Sequence, residues 1–204
     1  MLKISMTTIF LCLCLCLPVM AQSTEVTPES VAKEYIAAST AGDWAKAATF
    51  LDPEALGSFK NMFGEVMKMD KKNEAGKELF GLKNNAEFEQ LSGEQVFTKL
   101  ISMLVTMVPQ MKQMLSEAEN TILGQVPEGN DVVHILYRTK MKIGDGSMSK
   151  VDVMSLKKSG TIWRLKLSEE MEGSFSAMAK SLLQKAQEDN ATKPPAAKRP
   201  ARKK

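Results

Sequence analysis

Cysteine is almost missing from this sequence, and where it occurs it is confined. Of 204 residues three are cysteine, Cys12, Cys14 and Cys16, and none lies beyond them. The rest of the chain can form neither a disulfide nor a thiolate metal site, so its stability must come from a packed core. Roughly 150 residues suffice for one such core. Histidine is scarcer still, with His134 alone. A Ser-His-Asp or Asp-His arrangement therefore has one candidate imidazole, and the sequence pattern assembles neither. Long apolar runs are also absent, apart from Ile9 to Met20. That run falls short of the roughly 20 residues that span a bilayer.

The same N-terminal stretch has a recognisable grammar. Lys3 precedes the apolar run, and Val19-Met20-Ala21 precedes Gln22. A charged start, an apolar centre and a small-residue end read as a secretory signal peptide over residues 1–21, with an uncleaved anchor as the alternative. No cysteine follows a Leu-small-small triplet, which argues against a lipidated N-terminus. The expected location is outside the cytoplasm, either periplasmic or secreted.

Charge is divided unevenly. The chain has 27 basic and 24 acidic residues. Lys3 and six residues of the tail, Lys193, Lys198, Arg199, Arg202, Lys203 and Lys204, lie outside 22–192, which leaves 20 basic against 24 acidic there. A mildly acidic domain thus carries a basic tail. Residues 190–204 have no apolar anchor and read as a disordered tail. Export and the lack of interleaved aromatic and basic residues argue against nucleic acid. Weak attraction of the tail to an anionic envelope surface fits its charge.

Between these ends the chain is well punctuated. Thr27-Pro28-Glu29 starts a helix, with a hydroxyl cap, proline in the first turn and an acid behind it. Gly42 stops that helix, Asp43 caps a short second one from Trp44, and Asp52-Pro53-Glu54 starts a third. The polar, glycine-broken stretch from Met69 to Ser92 reads mostly as loop. Ser92-Gly93-Glu94-Gln95 fits a capping box, and Pro109 ends or kinks the helix that follows. After Ser116 the apolar period changes to two. A short strand ends at Pro127 and Gly129. Val133, Ile135, Tyr137, Thr139, Met141 and Ile143 alternate with polar residues, and Gly144-Asp145-Gly146 signals a hairpin. Two more strands follow, the last around Trp163. A final amphipathic helix is expected over 169–189, with Phe175, Met178, Leu182 and Leu183 on one side. The fold class is α+β, with N-terminal helices packed on a curved antiparallel meander and an extra C-terminal helix.

Two stretches carry a family resemblance: "AASTAGDWAKAATFLDPEAL" and "GTIWRLKLS". Helices first, then a meander ending in a Gly-x-x-Trp strand, resembles the nuclear transport factor two-like superfamily, a cone-shaped fold shared with ketosteroid isomerase. The resemblance covers about 27–168 and implies a cone within the 22–168 domain. It does not imply an activity, because that fold hosts enzymes, binders and adaptors alike.

An enzyme of this shape needs an acid–base group inside the cone. The polar residues expected on the inward strand face are Tyr137, Thr139, Ser155 and Thr161. Asp152, between two valines, is expected to point outward. His134 shares its face with Val132 and Leu136 and turns inward only through a bulge, which leaves it a weak catalytic candidate. Tyr35, Trp44, Phe63, Tyr137, Ser155 and Trp163 are the expected ligand-binding set. Met103, Met107, Met111 and Met114 follow helical spacing, and core packing explains them better than a thioether copper site. No cofactor or metal is expected. The expected partner is a small apolar ligand or an envelope protein, a homodimer is also allowed, and the function that best fits is a non-catalytic binding or interaction module. The alternative is a small isomerase- or dehydratase-type enzyme using His134 or a loop carboxylate.

Overall fold

The structure, a computed structural model, describes residues 26–143 and 146–191. The expected signal segment and the basic residues from Lys193 onward lie outside the described residues. Within them the fold is α+β. Seven helices come first: α1 (Pro28–Ala41), α2 (Trp44–Thr49), α3 (Pro53–Met69), α4 (Glu74–Phe80), α5 (Ala86–Glu89), α6 (Gly93–Met107) and α7 (Pro109–Ser116). Four strands follow, β1 (Glu119–Glu128), β2 (Val132–Ile143), β3 (Gly146–Ser159) and β4 (Ile162–Leu165), and then α8 (Glu169–Ala191).

Local chemistry sets the helical corners. The Thr27 hydroxyl accepts from Ser30 N at 3.1 Å and begins α1. Gly42 closes that helix in the left-handed region, φ 72°, where a Cβ would be strained. Asp43 Oδ1 then accepts from Lys46 N at 3.0 Å, so α2 starts at once. Asp52 caps α3, and Ser92 and Gln95 form the reciprocal capping box of α6 at 3.2 and 2.8 Å. Gly93 has a further reason to be glycine. A Cβ there would stand 2.7 Å from the Leu56 carbonyl oxygen, so α3 and α6 approach closely only because it is absent.

The stretch from Met69 to Ser92 is not mostly loop. It holds α4 and α5, organised by Asp70, the one buried charged residue among those described. Its carboxylate accepts from Glu74 N at 3.1 Å, Ala75 N at 2.8 Å and Gly76 N at 3.3 Å. Those amides open α4, and the carboxylate satisfies donors that helix geometry leaves without partners. The Asn85 amide donates to the Asp70 and Met67 carbonyls and ties α5 to the same point.

The sheet is an antiparallel meander in the order β1-β2-β3-β4, curved and not closed. β1 does not stop before Pro127, which sits inside it on the edge of the sheet, where a missing N–H is tolerated. The pairing of β1 with β2 shifts between Ile122 and Gly124, a bulge of one residue. α1 and α7 lie on the inner face. The helical layer is centred on phenylalanines: Phe59 stands 5.1 Å from Phe63, 5.8 Å from Phe97 and 4.9 Å from Phe175, centre to centre. Phe175 brings α8 onto α3. At the other end Asn190 donates to the Met69 carbonyl, so α8 runs to Ala191 rather than ending at 189.

Candidate functional site

The inner face of β2 is as its alternation predicts. Val133 and Ile135 are buried, with Tyr137 and Thr139 beyond them. β3 is offset by one residue from expectation. Tyr137 pairs with Asp152, Ile135 with Met154 and Val133 with Leu156, so Asp152 points inward. His134 pairs with Ser155 on the outer face. Val151 and Val153 accompany them outside, 49% and 53% exposed. A one-residue change of register exchanges the faces of a whole strand, and two valines around an aspartate favour the wrong choice when only hydropathy is weighed.

A cleft forms where the sheet narrows. β4 pairs only with Leu156–Ser159, so the β3 edge before them has no strand beside it. The link from β4 to α8 crosses that edge. Ser168 caps α8 by accepting from Met171 N at 3.2 Å. The result is a pair of adjoining hollows of about 420 and 390 Å³ that share Tyr137, Val153, Ser168 and Met171. The first has walls from Tyr35, Leu51, Met154, Leu165 and Leu167. The second is more polar and contains Lys150, Asp152 and Glu170. Lys150 Nζ stands 2.9 Å from Asp152 and 3.8 Å from Glu170, a bridge from β3 to α8 at the mouth. A larger hollow of about 510 Å³ lies between α3 and the start of α8, around Phe59, Met62, Glu169 and Glu172. The cleft at Tyr137 is the stronger candidate, because both phenols and the Lys150–Asp152 ion pair converge on its apolar walls.

Both tyrosines of the chain meet this cleft. Burial pushes the Tyr35 phenol above its ordinary value of 10, opposed in part by the Ser39 hydroxyl. Burial also raises Tyr137, and the Asp152 carboxylate adds to the shift. The folded state therefore holds both phenolic protons more tightly than the unfolded chain does. The stability this supplies is present below pH ~10 and is lost as pH rises through the raised values. Tyrosinate absorbance should thus lag in the native protein, while in concentrated guanidinium both phenols ionise near pH ~10. Coincident native and denatured titration curves would contradict the burial of these phenols.

The structure brings together only part of the expected ligand set. Tyr35 and Tyr137 line the cleft. Ser155 borders it, but its hydroxyl is engaged on the outer face, 2.9 Å from His134 Nδ1. Phe63 is fully buried in the aromatic core. Trp44 opens α2 and faces α6, where its carbonyl accepts from Thr98. Trp163 lies toward the far end of the sheet with Lys158 Nζ 5.8 Å from its ring centre. Thr161 is in the exposed β3–β4 turn. His134 is not a cleft residue: its Nε2 lies 2.8 Å from Glu128 on the outer face. Lys150 and Asp152 were missed because charged residues beside valines read as a solvated face. The methionine stripe is only partly core: Met103 packs against it, whereas Met107 and Met111 are 70% and 38% exposed around Pro109, where α6 gives way to α7. No group of three or more metal-binding His, Cys, Asp or Glu side chains occurs among the described residues. No protein-family model, curated protein or solved structure matches the chain.

Proposed function

We propose that this protein is an exported, non-catalytic binding module of the nuclear transport factor two-like kind. Its ligand is a small, largely apolar molecule held in the cleft at Tyr137. The observation that carries this reading is the cleft itself: apolar walls and two phenols that lead to a charged mouth. Ligand sites commonly combine apolar walls with a few convergent polar groups. The phenols orient a ligand through hydrogen bonds and stay protonated near neutrality. The apolar part of the ligand rests on Leu51, Met154 and Leu165, and its polar end faces Lys150.

Nile red, an uncharged apolar dye, tests the site. It should bind with enhanced fluorescence at one site per chain. Tyr137→Ala should weaken binding about fivefold, the worth of one hydrogen bond with its packing. Met154→Trp should fill the cleft and abolish binding. His134→Gln should change nothing. Equal dye binding by all four proteins would refute a ligand site at Tyr137.

Asp152 favours a second reading. A carboxylate opposite Tyr137 on the inner face supplies the acid–base group that an isomerase or dehydratase of this fold needs, in place of His134. Lys150 stands against it, because a base must leave that ion pair to take a proton. Deuterium exchange into an enolisable ketone, lost in Asp152→Asn with the dye site intact, would establish the enzyme and sink the binding module.

A further inference from the structure

The outer face of the sheet is bare among the described residues. Its centre is apolar: Val126, Leu136, Val151 and Val153 lie on neighbouring strands, and the three valines are each about half exposed. Five basic residues share the face, Arg138, Lys140, Lys142, Lys157 and Arg164, against Glu119 and Glu128. Lys157 is paired with Glu54 at 3.0 Å, and Arg164 donates to the Thr49 carbonyl. Arg138, Lys140 and Lys142 are exposed and have no ion pair among the described residues. The positive charge therefore gathers at one end of β2, beside the valines. Residues 22–192 as a whole carry an excess of acid, so this face has the opposite sign to its domain.

We propose that this face docks on an anionic lipid bilayer surface. The three cations would meet lipid phosphates while Val126, Leu136, Val151 and Val153 rest against the boundary with the acyl chains. Charge decides against a second copy, because isologous packing would bring two cationic faces together. The proposal differs from adsorption through the basic tail, since it requires the sheet itself to be covered.

His134 lies in the centre of the face and is the only histidine in the chain, so it reports coverage directly. Its modification by diethyl pyrocarbonate should be followed in the full chain, alone and with phosphatidylglycerol or phosphatidylcholine vesicles. Phosphatidylglycerol should remove most of the reactivity and phosphatidylcholine should not. Each basic residue near an anionic surface changes partitioning about fivefold, so R138Q/K140Q/K142Q should lose about 100-fold in vesicle affinity by flotation. An unprotected His134 on phosphatidylglycerol overturns the proposal, even if the protein floats with the vesicles through another segment. So does equal flotation of parent and triple variant, or equal protection by both lipids. Protection that grows with protein concentration in the absence of lipid would assign the face to a second copy instead.

Discussion

Replacing Phe59 with alanine should lower the stability of the fold by about 4 kcal/mol, within the range measured for buried aromatics. Phe59 is 2% exposed and touches three other phenylalanine rings. Its removal leaves a cavity at the point where α3, α6 and α8 meet. For a domain of this size the loss corresponds to roughly 8–16 °C in melting temperature. The effect should not be spread evenly. The Phe59–Phe175 contact, 4.9 Å between centres, holds the start of α8, so α8 should become the first site of limited proteolysis. Phe59→Leu keeps most of the volume and should lose under about 1.5 kcal/mol. Denaturant melts that place the alanine variant within 1 kcal/mol of the parent would show that this cluster is not the centre of the core.

Asp70→Ala should remove about 3 kcal/mol. Three backbone amides converge on this one carboxylate, and Ala75 and Gly76 are buried. Without it their N–H groups lose both their acceptor and access to water, and each orphaned donor costs about 1–3 kcal/mol. Water reaching Glu74 recovers part of the loss. Asp70→Asn keeps one carbonyl oxygen for the amides and should lose about half as much. Amide hydrogen exchange gives the local signature: Ala75 and Gly76 should exchange much faster in the alanine variant, while Leu100 in α6 follows global stability. Unchanged protection at Ala75 would mean that α4 is held by its packing alone.

These two residues also show what the sequence discloses and what it hides. The corners at Gly42-Asp43, Asp52-Pro53 and Ser92 were legible because each is settled by bonds spanning two to five residues. The alternation of β2 was legible because Val133, Ile135 and Tyr137 outweigh their polar neighbours. α4 was not, because its cap is a side chain four to six residues upstream rather than at the cap position itself, and its own sequence is polar. The β3 register was hidden for a related reason. Which face Asp152 takes depends on its partner across the sheet, and valines on the outer face imitate a core pattern. The core phenylalanines were legible as apolar, but not that Phe63 lies too deep to meet a ligand. The cleft arises from the shortness of β4, a property of pairing rather than of any residue in its walls.

The contact between Leu51 and Leu165 joins the α2–α3 corner to the last strand. Asp52 N donates to the Leu165 carbonyl at 2.7 Å, and Leu165 N donates to the Phe50 carbonyl at 2.8 Å. Contacts between such distant parts of a chain form late, because loop closure must precede them. A polypeptide emerging N-terminus first from a ribosome can build α1 to α7 early. It cannot lock that corner or seat Phe59 against Phe175 until almost the whole domain has emerged. The helical half thus waits unfinished, with part of its aromatic centre open, until the end of the molecule arrives to close it.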